Sequence, residues 1–540
     1  MIVKMRHLDL VCVAADREAT LEKLRSLGAV HLDLASAQGL EVAEARGTLA
    51  EAERAVRLIT KARGKEKRES IEIRPMSVAR ALELEADRDT LIAERDRLER
   101  EIKRYREYGD FDPALAKALL AKAPELQELL PERLPELRLS KLEEKFERVK
   151  NRINIDTARL ASGDERLIMR EFPALVDRMA FAQAKELLAS RGSIAVISGW
   201  LPTTLESRLL SVTKANGWGV LLRDSEVGET PPTLIEPPKL FRPVRALFNG
   251  LGIAPNYDES DVSIPFFCYF SLFFAMLVGD GAYGAIFLVG TLLLRKKLPK
   301  AWFILLLVFS LATIGWGTLS NAWFGASIPY CDNWPTVKWL SGAGAPTGHE
   351  YDNMMFLCFT IGVSHLMLAR LWNGFSRIND ISCLKEFGWA GIVLFMYILT
   401  NSIVGIFATI PMWAYYMLGV SFVTVFFSVK GIDKGMLFLN AMSVLGDIIS
   451  YVRLFAVGLA SLKVAENFNM MALNLGLPIW IKWLPLALIL LIGHGLNLAM
   501  AGLSVLVHAV RLNTLEFSNH KGISWAGYAF KPFTKTKEKR

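Results

Sequence analysis

Two hydrophobic rhythms divide the chain near residue 260. Downstream, apolar residues run almost unbroken through seven blocks: 262–294, 301–325, 352–373, 388–409, 411–429, 436–470 and 478–512. A helix that crosses a bilayer needs about 20 apolar residues, so these blocks predict a polytopic helical membrane part. Upstream, apolar positions are periodic. Met5–Val13 alternates as a strand, Arg17–Leu27 has helical spacing with Asp16 as N-cap and Gly28 as C′, and Ala29–Leu34 reads as a second strand. Ile194–Gly199, Leu205–Ala215 and Gly219–Arg223 repeat the strand-helix-strand order, and prolines at 231–232 and 237–238 mark a linker. Between these two small α/β lobes, Leu84, Leu91, Leu98 and Tyr105 recur every seven residues, and Leu142, Phe146, Val149, Ile153 and Leu160 follow a 4-3-4-7 spacing. With a Pro-containing region between them, the two stripes predict an antiparallel coiled-coil strut. The expected fold is mainly α.

The first apolar block is broken at Gly279-Asp-Gly-Ala-Tyr-Gly284, where a hairpin would reverse the chain with Asp280 at its apex. With that reversal the chain crosses eight times and every basic loop falls on one side. These are Arg295 to Lys300, Arg370 to Lys385, Lys430 with Lys434, and residues 531–540. Basic loops mark the cytoplasmic face. Residues 1–261 and the tail 522–540 are therefore expected in the cytoplasm, flanking a transmembrane part, 262–521, in the plasma membrane. Met1–Leu10 shows no export signal. The formal net charge of +8 lies largely in these loops and the tail, so it reports orientation in a bilayer and not affinity for nucleic acid. The five cysteines show no CxxC spacing and read as small buried apolar residues, with no metal implied. No GxxxxGK[ST] is present, and Gly279-x-Gly281-x-x-Gly284 lacks a βαβ context, so neither a nucleotide site nor another cofactor is expected.

The last two blocks are too long for one perpendicular crossing. Met436–Met470 would run about 50 Å as a helix, against about 30 Å of hydrocarbon. The final helix, expected to begin near Pro485 and run into Glu516, is of similar length, so both must tilt or protrude. The first of them contains Arg453, whose guanidinium stays charged at any working pH. Placing it mid-bilayer costs about 2.5–3.5 kcal/mol or more, which marks it as a functional residue. Asn440, Ser443, Asp447 and Ser450 form one stripe leading to Arg453. Asp447 lies six residues before Arg453, about 120° away on a regular helix, and is a poor partner for it. His494, Asn497, Ser504, His508 and Arg511 fit a second track, with Ala501 in the remaining slot.

The two stripes start at opposite ends of the membrane and describe two half-channels, each ending near a fixed cation. An ion is then ferried between them by a partner. A carboxylate carried in lipid stays protonated through desolvation, and an opposite charge within about 4–6 Å favours its ionised form. Arg453 would force it to unload, while His494 and His508 can relay protons. A stand-alone secondary transporter and a non-translocating membrane scaffold are the alternatives. The first predicts internal repeats and broken helices, and the second has no need to bury two arginines.

Leu445–Ser461 (LGDIISYVRLFAVGLAS), His508–Phe517 (HAVRLNTLEF), Gly527–Phe533, Gly279–Gly284 and Gly199–Pro202 resemble subunit I of bacterial and archaeal V/A-type ATPases, which is similar to subunit a of the vacuolar ATPase. The resemblance implies a non-catalytic stator subunit that abuts a proteolipid c-ring and holds peripheral stalks. Through them it serves the ATP-hydrolysing headpiece, with H⁺ or Na⁺ as the transported ion. Arg453 falls on the family's essential arginine and Arg511 on its second, with His508 and Glu516 in that second motif. Three features depart from the pattern. Gly281 and Ala282 are exchanged, Ala501 stands where many members carry an acid, and Lys463 and Glu466 are unusual.

Overall fold

The computed structural model describes residues 1–64, 73–123, 130–131, 133–226, 228–342, 349–429, 434–476 and 478–535; Lys430 and residues 536–540, counted above among the basic segments, lie outside them. The chain divides into two compact units. One holds Met5–Ser225 with the tail from Lys531, the other Met1–Lys4 with Glu226–Phe530.

In the first unit, β1 (Met5–Val13) is followed by α1 (Arg17–Leu27), which ends on Gly28 in the left-handed region. Asp16 stands at the N-cap position, but its side chain makes no cap bond, because a 3₁₀ turn over Ala14–Asp16 leads into the helix. Helices α2 (Leu40–Arg63), α3 (Val78–Tyr105), α4 (Pro113–Lys122), α5 (Leu139–Ala161) and α6 (Glu165–Leu187) come next. Then come β2 (Ala189–Arg191), β3 (Ile194–Pro202), α7 (Glu206–Asn216) and β4 (Gly219–Asp224). The strands form one sheet in the order β2-β3-β1-β4, with β1 antiparallel to both neighbours. The two expected lobes are thus a single layer. A solitary β1 would leave both edges of backbone donors and acceptors open, and the two later strands close them.

The predicted strand Ala29–Leu34 contributes only one bridge, His31 to Trp200. Beside it, Gly199 has no room for a side chain: a Cβ there would stand 2.6 Å from the His31 carbonyl oxygen. Leu8, Leu10, Ile197 and Leu201 bury their faces with Leu21 and Leu24 of α1, Leu209 of α7, and Phe533 from the tail.

The two stripes meet. Leu98 and Tyr105 of α3 cluster with Leu142 and Val149 of α5, and Leu84 clusters with Leu160, so the two helices run antiparallel in the register that the stripes set. Ala52, Ala55 and Ile59 of α2 widen this seam at its Leu84 end.

The second unit begins its helical series with α8 (Val244–Leu251), α9 (Ser263–Val278) and α10 (Gly281–Leu293). The last two meet at 119° across Gly279 and Asp280, where the sequence predicted a reversal. Helix α11 (Lys300–Leu319) seats the turn so closely that a Cβ on Gly317 would lie 2.1 Å from the Gly281 nitrogen. Helices α12 (Pro335–Leu340), α13 (Asp352–Ser376), α14 (Ser382–Ile403), α15 (Met412–Ser428), α16 (Leu437–Ile449), α17 (Val452–Leu473), α18 (Ile479–Ser504) and α19 (Ser518–Lys521) follow.

Five runs among the described residues are long and apolar enough to cross a membrane: 300–319, 352–376, 382–403, 437–473 and 482–521. The bent pair taken as one span makes six, and α15 is a shorter apolar helix of 17 residues. The eight crossings expected from the sequence require both arms of the pair and α15 to cross as well. The final two runs, of 37 and 40 residues, are each about 55–60 Å long at 1.5 Å per residue. The last helix starts at Ile479, and Pro485 sits inside it, not at its first turn. Apolar residues before the proline extend the helix despite the lost amide bond. Cys12, Cys331 and Cys358 are buried, but Cys268 is exposed on α9. Its neighbours there are apolar, so a hydrophobic surrounding suits it outside a core as well as within one.

Candidate functional site

The arginine segment is not a straight helix. Ser450 and Tyr451 interrupt it, and the amides of Tyr451 and Arg453 bond three residues back, to Ile448 at 3.1 Å and Ser450 at 3.3 Å. The Ser450 carbonyl also accepts from Arg453 Nε at 2.9 Å, which fixes the guanidinium at its stem. The final helix passes through two π-helical turns, Val505–Ala509 and Leu512–Phe517. Such turns bond residue i to i+5 and favour functional positions.

On a regular helix Arg511 and Glu516 would lie about 140° apart; the wider π turn brings them to one side. Glu516 Oε1 accepts from Arg453 Nη2 at 2.9 Å and faces Arg511 Nε at 3.3 Å. The Glu516 side chain is only 5% exposed, against 23% for Arg453 and 55% for Arg511. Two guanidiniums share one carboxylate, so the cluster keeps one formal positive charge. Glu516 Oε2 and His508 Nδ1 are buried and without hydrogen-bond partners. Asp447 does not pair with Arg453.

A polar cavity of about 340 Å³ lies along α16. Asn440, Ser443 and Asp447 line it, as the first stripe predicted, together with Arg370, Glu386 and His520. The charged groups form a chain. Arg370 Nη1 donates to Glu386 Oε2 at 3.2 Å, Arg370 Nε donates to His520 Nδ1 at 3.1 Å, and His520 Nε2 reaches Asp447 Oδ2 at 3.0 Å. Arg370 also lies over the Trp389 ring at 5.3 Å. Ser450 turns back instead, donating to the Asp447 carbonyl at 2.6 Å.

A second polar network joins α10, α17 and α18. Tyr283 Oη bonds His494 Nδ1 at 2.8 Å and accepts from Asn497 Nδ2 at 3.0 Å, and Asn497 also exchanges bonds with Ser461. His494 Nε2 lies 3.1 Å from Asn469 Oδ1. Asp280 works locally: Oδ1 caps α10 at the amides of Ala282 and Tyr283, and Oδ2 accepts from the Gly325 amide at 2.9 Å. Among the described residues the Ser504 hydroxyl joins neither network. Lys463 and Glu466 pair locally at 2.7 Å, as their spacing predicts.

Periodicity missed Arg370, Glu386, His520, Tyr283, Asn469 and Ser461. Arg370 reads from the sequence as a loop charge, and His520 lies past the second stripe. Only the meeting of α13, α14, α16 and the end of the last helix gives Arg370, Glu386 and His520 their partners, and only that of α10, α17 and α18 gives Tyr283, Asn469 and Ser461 theirs.

No protein-family model matches the chain. It is 33% identical over 372 residues to V-type ATP synthase subunit I of Borreliella burgdorferi, an alignment covering 63% of this chain and 60% of that protein. It is 28% identical to V-type ATP synthase subunit I 1 of Treponema pallidum, across 99% of this chain and 100% of that one. It is 24% identical to A-type ATP synthase subunit I of Methanocaldococcus jannaschii, across 75% and 64% respectively. The chain thus spans about three fifths of the Borreliella relative and all of the Treponema one.

Proposed function

We infer, from the premise that this chain is homologous to subunit I of V-type and A-type ATP synthases, that it is the membrane stator subunit of a rotary ATPase and carries the path for its ion. The Arg453–Glu516–Arg511 cluster is the observation that carries this reading. A rotor carboxylate in lipid is neutral because desolvation penalises its charge. Beside Arg453 it ionises, replaces Glu516 as the arginine's partner, and gives up its proton. Arg511 meanwhile keeps Glu516 paired, so no buried carboxylate is stranded during the exchange, a state that costs several kcal/mol. The surplus positive charge repels a bare cation and separates the two paths. The cavity along α16 supports access from one side, and the Tyr283–His494–Asn497 network supports access from the other.

The remaining assignments follow from this role. The partner is a ring of proteolipid subunits, met by the long helices, whose outer faces expose Leu491, Leu503 and Leu506. The helical hairpin of α3 and α5 holds peripheral stalks and so serves the nucleotide-hydrolysing headpiece. The protein lies in the plasma membrane with both termini cytoplasmic, forms no catalytic site of its own, and moves protons.

The test is Arg453→Gln in the assembled complex, reconstituted in sealed vesicles. Losing an opposite charge shifts a carboxylate's ionisation by about 1–3 pKa units, so ATP-driven proton uptake should fall by at least about tenfold. Uptake at the native rate would overturn the reading.

A further inference from the structure

His520 has no place in either predicted stripe, yet it occupies the centre of the polar cavity's charge chain. The Arg370 guanidinium has no lone pair to offer, so Nε can only donate, and His520 Nδ1 must be the acceptor. The neutral ring therefore carries its proton on Nε2 and donates it to Asp447 Oδ2. The geometry fixes both tautomer and direction: an acceptor nitrogen toward Arg370 and a donor toward the carboxylate of the arginine-bearing segment.

Further groups face this ring. Arg370 and, near it, His365 come from α13; Glu386 and Lys385 from α14; Asp447 from α16. Lys521, beside it in the chain, is held away by its bond to Asn373 at 2.6 Å. His365 is turned elsewhere, its Nδ1 bonded to the Tyr451 hydroxyl at 2.9 Å. A mobile cation entering the cavity finds no net attraction, since Arg370 and Lys385 balance Glu386 and Asp447. A proton handed along bonded groups does not have to reside there as a free charge.

We propose that His520 is the proton-relay residue of this cavity, collecting protons from its water and passing them to Asp447 on the way to the rotor. The inference rests on the stator reading above and specifies the proton as the ion. In the step, an excess proton carried as hydronium in the cavity adds to the Nδ1 lone pair, leaving water, and breaks the Arg370 bond. The imidazolium then gives its Nε2 proton to Asp447 Oδ2, leaving a neutral ring and a protonated carboxyl. Exchange of the Nδ1 proton for one on Nε2 through cavity water restores the starting tautomer. Arg370, released from Nδ1, remains paired with Glu386, so the network tolerates both states.

Glutamine separates relay from scaffold. In His520→Gln the side-chain oxygen accepts from Arg370 and the amide donates to Asp447, so both bonds persist while the titratable group is lost. The native complex and this variant are compared in sealed vesicles by ATP-driven proton uptake between pH 5 and 8.5, with assembly checked by ATP hydrolysis. A positioned proton carrier contributes about 10²–10⁴-fold. The variant is expected to pump at least about tenfold more slowly and to lack the ionisation that the native profile shows near the histidine range. Native rate and native profile in His520→Gln mean a structural role and overturn the proposal. So does uptake that requires Na⁺ and ignores pH. Arg453→Gln is run in parallel. If it still pumps, the stator reading itself fails; if it is dead while His520→Gln is normal, only the relay fails.

Discussion

Glu516 shares one oxygen between two arginines of unequal burial, and that asymmetry has a measurable consequence. In Glu516→Gln the charge disappears and the shape stays. Removing one partner of a buried pair costs about 3–5 kcal/mol. Arg453 keeps its bond to the Ser450 carbonyl and about a quarter of its exposure, which argues for the lower end. The contact with the half-exposed Arg511 is screened and contributes about 0–1 kcal/mol. The glutamine oxygen retains one hydrogen bond worth about 1 kcal/mol. The net expectation is a loss of about 2–3 kcal/mol. The assay is reversible unfolding of the full chain in mixed detergent micelles, as double-mutant cycles of Glu516→Gln with Arg453→Gln and with Arg511→Gln. The Arg453 coupling should exceed the Arg511 coupling by about 1–2 kcal/mol. Equal couplings, or a Glu516→Gln stability within about 0.5 kcal/mol of native, would refute the shared-carboxylate account.

Three other outcomes are expected. Gly317→Ala drives a Cβ into the Gly281 backbone, which cannot yield as a flexible side chain can; destabilisation beyond the usual 1–3 kcal/mol of overpacking, and poor membrane yield, should follow. Asp280→Asn retains the cap on α10 but turns an amide donor toward the Gly325 N–H, and a loss of about 1–3 kcal/mol should appear in the same unfolding assay. Burial holds the His31 imidazole below its ordinary pKa of 6.5, against the weaker opposing pull of its hydrogen bond to Lys531. Its neutral form is therefore favoured by folding. That contribution is complete above about pH 6.5 and declines as pH falls through the lower folded value. His31→Gln should flatten the melting temperature of the unit that holds β1–β4 between pH 7 and 5, and an unchanged slope would count against the assignment.

Much of this architecture can be read along the chain. A period of two placed β1, a period of seven paired α3 with α5, and apolar length marked the membrane part, because each depends on which residues recur within one element. Arg453 stood out for the same local reason, a permanent charge in an apolar run. The merging of two expected lobes into one sheet was not legible, since edge pairing between β1 and strands 181 to 218 residues later leaves no periodic trace.

The site divides in the same way. Sequence alone determined that a guanidinium lies in an apolar helix and that Asn440, Ser443 and Asp447 share its approach. Tertiary structure alone decided what that charge faces. The π turn at Leu512–Phe517 rotates Glu516 onto the side of Arg511, and a break at Ser450 and Tyr451 aims Arg453 at the same oxygen. Helices distant in sequence set Arg370 and His520 beside Asp447. Composition and spacing fix the cost of burying a charge. Only packing in three dimensions chooses the partner that offsets it.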